Sequence, residues 1–147
     1  MQKDPWKILE SFSREDTFRL GEEYGRSAKP GEIFCLEGDL GVGKTVFTKG
    51  FAAGLGITEP VNSPTFTILQ IYESGRLPLY HFDVYRLGEP EEIEELGYEE
   101  YFFGEGVCLI EWPGRVEDYI PENARFVRIE KDPAKGLDYR RIVIEAK

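Results

Sequence analysis

Apolar residues along the chain fall into short runs that are typical of strands in a buried sheet. Residues 32–36 and residues 107–110 are two largely apolar runs, and each predicts a buried strand. Two further strands are expected at residues 125–130 and 140–145, where apolar and polar positions mix. These segments should all belong to one sheet.

A hairpin is expected between the two buried runs. Residues 65–72 alternate and are rich in β-branched and aromatic side chains, and residues 77–83 are the expected partner strand, with residues 73–76 as the turn. Because strands and helices are interleaved along the chain, the pattern predicts an α/β fold with a mixed β-sheet flanked by helices. We expect residues 1–147 to form a single domain.

Three segments have the features of helices. Ser13 is the expected N-cap of the first, with Asp16 reaching back, and this helix should end before Pro30. Residues 43–55 predict a second helix and residues 90–96 a short acidic one. The buried face of the first helix is expected to come from its apolar side chains, Phe18, Leu20 and Tyr24.

A glycine-rich motif joins the first buried strand to the second helix. It has the G-x-x-x-x-G-K-[ST] pattern of a phosphate-binding loop, or P-loop. Its glycines let backbone N–H groups approach phosphates closely, and the following helix presents its positive end to them. Lys44 should reach the β- and γ-phosphates, and the Thr45 hydroxyl should bind Mg²⁺. The expected nucleotide-binding residues are Gly38, Asp39, Leu40, Gly41, Val42, Gly43, Lys44 and Thr45.

Acidic residues end two of the predicted strands. Glu111 follows residues 107–110, and Asp83 ends the predicted hairpin, at the strand ends where ligands of open α/β sheets bind. A P-loop site needs such an acid to hold Mg²⁺ or its waters, and either residue could supply it. The alternative for each is an ordinary surface role, because the chain has 28 acidic residues.

Three other residues are weaker candidates. Thr65 lies 20 residues after Thr45, which suits a mobile segment that senses Mg²⁺ and the γ-phosphate, although a strand-start threonine fits equally well. His81, the only histidine, is expected to be structural rather than a catalytic base. Arg86 could stabilise phosphate charge or pair with a neighbouring acid.

The charge of the chain narrows its possible partners. Its net charge of −10 opposes stable binding to nucleic acid and fits a protein that works through protein partners. No apolar run approaches the roughly 18 residues that a membrane span needs, so no membrane association is expected. The two cysteines have no metal-like spacing and favour free thiols in a reducing cytoplasm.

Taken together, these motifs resemble those of the TsaE (YjeE) family of small bacterial P-loop ATPases. The loop LEGDLGxGKT, SPTF, HFDxYR and IEWP form a highly specific combination. They occur in the family's order and span most of the chain. The matching segments are residues 36–45, 62–66, 81–87, 94–97 and 109–113.

The resemblance implies a cofactor set and a role. It implies ATP and Mg²⁺, with the metal held by Thr45 and Glu111. Asp83 would lie in or near the catalytic constellation, and Thr65 in a switch-like segment. We expect Lys44 of the P-loop to be catalytic as well. The resemblance also implies a part in making N6-threonylcarbamoyladenosine beside the tRNA anticodon. The TsaD–TsaB complex transfers that group, TsaE-like proteins bind the complex, and tRNA would be only an indirect partner.

Two other functions stay open on the sequence alone. A small-molecule kinase would need a lid rich in arginine, and residues 87–105 contain no Lys or Arg. A nucleotide-gated binding module would bind its partner in an ATP-dependent way with little useful hydrolysis. Residues 13–17 are a candidate for the adenine pocket, and residues 89–95 for the partner face.

Overall fold

One mixed β-sheet organises the chain in the computed structural model, which describes residues 6–39, 41–62 and 67–147. Seven strands form it in the spatial order β1-β7-β6-β2-β5-β4-β3. In chain order they are β1 (Trp6–Ser11), β2 (Ile33–Glu37), β3 (Leu69–Tyr72), β4 (Leu79–Asp83), β5 (Val107–Glu111), β6 (Arg125–Lys131) and β7 (Arg140–Ala146). The predicted mixed sheet of an α/β fold is confirmed.

The four central strands run parallel, and the outer ones run antiparallel. Strands β6, β2, β5 and β4 are joined by parallel pairings, whereas β1–β7, β7–β6 and β4–β3 are antiparallel. The predicted hairpin is therefore confirmed, but β3 and β4 both begin two or more residues later than expected. Pro78 has no N–H to donate to the sheet, which explains the late start of β4. Strand β1, which lies at the sheet edge, was not predicted.

Helices cover both faces of the sheet. They are α1 (Arg14–Ser27), α2 (Lys44–Gly54) and α3 (Tyr98–Phe102), with 3-10 helices at Pro90–Leu96, Pro113–Tyr119 and Pro133–Lys135. Alternate residues of β2 serve the two sides: Phe34 and Leu36 pack in the core beneath α1 and α2, and Ile33 and Cys35 pack in the opposite core. Burial raises the pKa of the Cys35 thiol to about 12, so it stays protonated. Within the described ranges, no helix has the length and apolar character to cross a membrane.

The start of α1 matches the predicted capping arrangement. The Ser13 hydroxyl accepts the Asp16 N–H at 3.1 Å, and the Asp16 carboxylate accepts the Phe12 N–H at 3.0 Å. The helix ends at Ser27, before Pro30 as expected. Its N-terminus is therefore held at a defined place beside the sheet.

The buried face of α1 differs from the prediction because it is built from small residues. Thr17, Gly21 and Gly25 are the buried positions of the helix, whereas Leu20 and Tyr24 pack only at the margin of the core. Phe18 is likewise only partly buried. Glycine has no Cβ, so the backbone of α1 can lie directly against the backbone of a neighbouring helix.

That neighbour is α2, and both helices contribute glycines to the contact. A Cβ added at any of them would come within 3.0 Å of a backbone carbonyl oxygen of the other helix. The pairs are Gly21 with Phe47, Gly25 with Phe51, Gly50 with Phe18, and Gly54 with Glu22. Since the partners advance in the same direction along both helices, α1 and α2 run parallel and their N-termini lie side by side.

Gly21→Ala should destabilise the protein by more than about 2 kcal/mol, although alanine is the better helix former. The added methyl would meet the Phe47 carbonyl oxygen, and no side-chain rotation can relieve a contact between backbones. Urea unfolding followed by circular dichroism measures the change. Gly114→Ala is the control, because a Cβ there meets no atom within 4 Å. Equal stability of the two variants would contradict the backbone contact.

Candidate nucleotide-binding site

The P-loop occupies the turn between β2 and α2, the context that its sequence predicts. Gly43 precedes α2 with φ of +113°, a conformation that residues other than glycine rarely adopt. Gly38 also needs to be glycine, because a Cβ there would lie 2.7 Å from the Ile129 carbonyl oxygen. Leu40 lies outside the described residues. The remaining loop residues are placed as expected, at the N-terminus of a helix.

Lys44 is the first residue of α2 and is folded back into the loop. Its Nζ donates to the Gly38 carbonyl oxygen at 2.7 Å and lies 3.7 Å from the centre of the Trp112 ring. Burial lowers the pKa of Lys44, while Glu111, Asp83 and Asp39 oppose that shift. The ammonium group is therefore held by a carbonyl and an aromatic face, both of which a phosphate group would outcompete.

The two predicted acids meet at the carboxyl ends of adjacent parallel strands. Asp83 lies directly opposite Glu111 in the β4–β5 pairing, and Glu111 lies opposite Leu36 of β2. Alternation along the strands turns both carboxylates to the α2 side of the sheet, because Phe82 and Ile110 pack in the opposite core. The structure thus brings Asp83 and Glu111 to the same sheet edge as Lys44.

A cleft of about 380 Å³ joins these groups. It is lined by Arg14, Gly41, Gly43, Lys44, Thr45, Val46, Lys49, Asp83, Glu111 and Trp112. Thr45, the second residue of α2, therefore lines the same space as both carboxylates. Lys49 was not predicted as a site residue, and it reaches the cleft from α2 itself. Arg14, within the segment 13–17 predicted for the adenine pocket, reaches the cleft because α1 runs parallel to α2. Thr65 lies outside the described residues, and Arg86 is exposed, so their roles stay predictions.

Asp83 is partly buried, and its charge is only partly compensated. Burial raises the pKa of Asp83, with a further rise from the neighbouring Glu111, while the Tyr85 N–H, His81 and Lys44 oppose it. The Tyr85 N–H donates to Oδ1 of Asp83 at 3.1 Å. An acid destabilised in this way stores free energy that a bound cation would release.

Two contacts at the site were missed by the sequence prediction. His81, expected to be structural, hydrogen-bonds through Nε2 to Glu111 Oε2 at 2.7 Å. Trp112, which follows Glu111 directly, lies under Lys44 and has φ of +62°. The period of two along β4, which puts His81 on the same face as Asp83, is the signal that could have placed His81.

A larger cavity of about 810 Å³ adjoins the P-loop on its other side, and Trp112 is part of the wall of both. Its other lining residues include Glu37, Gly38, Arg115 and Arg128, but not Lys44, Asp83 or Glu111. The groups suited to phosphate and metal chemistry therefore line the smaller cleft.

Asp83→Asn should raise the unfolding temperature of the nucleotide-free protein by about 2 °C at pH 7, because it removes a partly buried charge beside Glu111. The amide oxygen can still accept the Tyr85 N–H. The pKa of Asp83 is higher in the folded protein than its ordinary value, so protonated Asp83 contributes stability to the fold. This contribution is lost as pH rises through the native pKa. The difference in unfolding temperature between Asp83→Asn and the wild type should therefore be largest at neutral pH and shrink as pH falls through the native pKa.

Differential scanning calorimetry between pH 4 and pH 8 measures this difference. Asp118→Asn is the control, because Asp118 is exposed and its replacement should leave the unfolding temperature unchanged. A variant that melts below the wild type at pH 7 would show that the Asp83 charge is stabilising, against this account.

Comparisons with known proteins identify the family of the chain. A family model described as "Threonylcarbamoyl adenosine biosynthesis protein TsaE" matches residues 11–142. A Bacillus subtilis (strain 168) protein named "tRNA threonylcarbamoyladenosine biosynthesis protein TsaE" is 51% identical over 146 residues, which are 99% of this chain and 87% of the relative. A protein of the same name from Treponema pallidum is 50% identical over 112 residues, 76% of this chain and 82% of the relative. The crystal structure of Bacillus subtilis YdiB is similar with a TM-score of 0.84 and 42% identity, covering 99% of this chain and 88% of that one. The chain therefore belongs to the TsaE family.

Proposed function

We propose that this protein is a P-loop ATPase that acts on the TsaD–TsaB complex during formation of N6-threonylcarbamoyladenosine in tRNA. The observation that carries the ATPase assignment is the convergence of Lys44, Asp83 and Glu111 on one cleft beside the P-loop. The role in tRNA modification is supported by membership of the TsaE family. The acidic chain is a poor RNA ligand, which favours a protein partner as the direct target.

The residues of the cleft fit ATP with Mg²⁺. Mg²⁺ prefers oxygen ligands and usually shares its sphere with phosphates and water, and the Thr45 hydroxyl and the Glu111 carboxylate are such ligands. Among the described residues, no group of three or more His, Cys, Asp or Glu side chains could hold a metal alone. When bound, the metal would neutralise charge that develops on the phosphates.

Binding of ATP requires Lys44 to change partners. The ammonium group would leave the Gly38 carbonyl and the Trp112 ring for the β- and γ-phosphate oxygens, which offer it charged acceptors. The loop N–H groups and the positive end of α2 add further stabilisation of negative charge. Lys44 thus binds the phosphates in the ground state and in the transition state.

Asp83 is the residue best placed to orient the attacking water. Its Oδ1 is already engaged by the Tyr85 N–H, and this contact sets the direction of the carboxylate. The other carboxylate oxygen, Oδ2, would then orient the water. Most of the catalysis would come from positioning and charge stabilisation, so hydrolysis by the protein alone should be slow and a partner should accelerate it.

The nucleoside is expected to lie between the N-termini of α1 and α2, near residues 13–17. A cavity of about 420 Å³ extends the phosphate cleft in that direction. The two spaces share Arg14, Val46 and Lys49 as lining residues. Apolar surface from Val46 and Phe18 suits a base, and the two cations suit the phosphate chain.

ATP hydrolysis should be slow for the pure protein and rise at least about tenfold when the TsaD–TsaB complex is added. Lys44→Ala should abolish both rates, because it removes the cation that binds the transferred phosphoryl group. A coupled assay for ADP release measures the rates, with circular dichroism as a check that the variant is folded.

The outcomes separate the two parts of the proposal. Equal rates with and without the complex would contradict the partner assignment. A rate that survives in Lys44→Ala would contradict the assignment of the site. Binding of the complex that depends on ATP, without any hydrolysis, would favour a nucleotide-gated binding module over an ATPase.

A further inference from the structure

His81 and Glu111 form a buried pair beneath the nucleotide cleft. Their side chains are 1% and 5% exposed, and His81 Nε2 lies 2.7 Å from Glu111 Oε2. The other ring nitrogen of His81, Nδ1, is buried and has no hydrogen-bond partner among the described residues. The imidazole therefore makes one polar contact within this part of the chain, and it is directed at a carboxylate of the site.

The strand register explains how the pair forms. Asp83 is opposite Glu111, and His81 lies two residues earlier on β4, opposite Leu109. His81 therefore lies on the same face as both acids but one step further from the sheet edge. It reaches diagonally across the β4–β5 pairing to Glu111 from below, a distance that a long side chain can span.

The chemistry of the two groups decides which atom carries the hydrogen. A carboxylate that ligates a cation is ionised, and its oxygens can only accept hydrogen bonds. His81 Nε2 must then be the donor. With Nε2 protonated, Nδ1 of the neutral ring is a bare acceptor, and an unmet acceptor is tolerated more often than an unmet buried N–H. The geometry is thus consistent with His81 Nε2–H donating to Glu111 Oε2.

We propose that His81 is a positioning residue for the metal: by donating Nε2–H to Oε2 it holds the Glu111 carboxylate so that Oε1 is left for Mg²⁺ or its waters. This inference rests on the proposed ATPase function. A purely structural role would not require this pair, because a buried polar pair can often be replaced by apolar side chains without loss of stability. Hydrogen bonds to metal-ligating carboxylates do affect metal binding, and losing such a contact typically costs 10- to 100-fold in affinity.

The test is metal affinity, measured with Mn²⁺ as the probe. Free Mn²⁺ is followed by electron paramagnetic resonance as it is titrated into protein saturated with a non-hydrolysable ATP analogue. Five proteins are compared: the wild type, His81→Phe, His81→Gln, Glu111→Gln and the double variant that combines His81→Phe with Glu111→Gln. Phenylalanine fills the space of the imidazole but cannot donate. The affinity for the analogue is also measured in EDTA.

His81→Phe should weaken Mn²⁺ binding about 10- to 100-fold. It should leave the affinity for the ATP analogue, measured in EDTA, unchanged. His81→Gln, whose amide can donate from nearly the same place as Nε2, should recover most of the loss. In the Glu111→Gln background, His81→Phe should have no further effect on Mn²⁺, because the carboxylate that His81 positions is already absent. If His81→Phe does not fold, His81→Asn replaces it, since its shorter amide falls short of Oε2.

Three results would overturn the inference. Unchanged Mn²⁺ affinity in a folded His81→Phe shows that the pair is only structural. A loss of equal size in the Glu111→Gln background shows that His81 does not act through Glu111. A wild type that binds no ATP analogue overturns the proposed function together with this inference, whereas the first two results leave the proposed function intact.

Discussion

The parallel pairing of β4, β5 and β2 is the constraint on which the site depends. Parallel strands end at the same edge of a sheet, so the P-loop after β2 and the acids that end β4 and β5 must meet there. The register then decides which side chains face each other, with Asp83 opposite Glu111. A shift of one residue in either pairing would turn a carboxylate to the opposite core. The antiparallel strands outside this group complete the sheet without supplying a candidate catalytic residue.

The second requirement is that α2 be held firmly, because its N-terminus carries Lys44 and Thr45. The reciprocal glycine contacts place the backbone of α1 against that of α2. Side chains at this interface would separate the helices and leave room for α2 to shift. The parallel arrangement also brings Arg14 to the phosphate cleft, so one packing interaction both supports the P-loop helix and adds a cation to the site.

The sequence predicted which residues gather at the candidate site better than it predicted their contacts. The P-loop and the acids at positions 83 and 111 could be found because each depends on a local pattern, a motif or a strand end. The contact between Gly21 and Phe47 could not, because glycine within a helix normally indicates a weak helix and its benefit comes from another element. The His81–Glu111 pair joins residues 30 positions apart and depends on the register of two strands. Strand β1 was missed because it lies at the sheet edge and pairs only with β7.

The central claim is that one cleft binds the phosphates through Lys44 and the metal through Thr45 and Glu111. A crystal structure with Mn²⁺ and a non-hydrolysable ATP analogue tests it most directly, because anomalous scattering identifies the metal. The account predicts a Mn²⁺ peak beside Thr45 Oγ1 and Glu111, and Lys44 Nζ on the β- and γ-phosphate oxygens, away from Gly38 and Trp112. A metal bound without Thr45 and Glu111, or Lys44 still on the Gly38 carbonyl beside bound nucleotide, would contradict it.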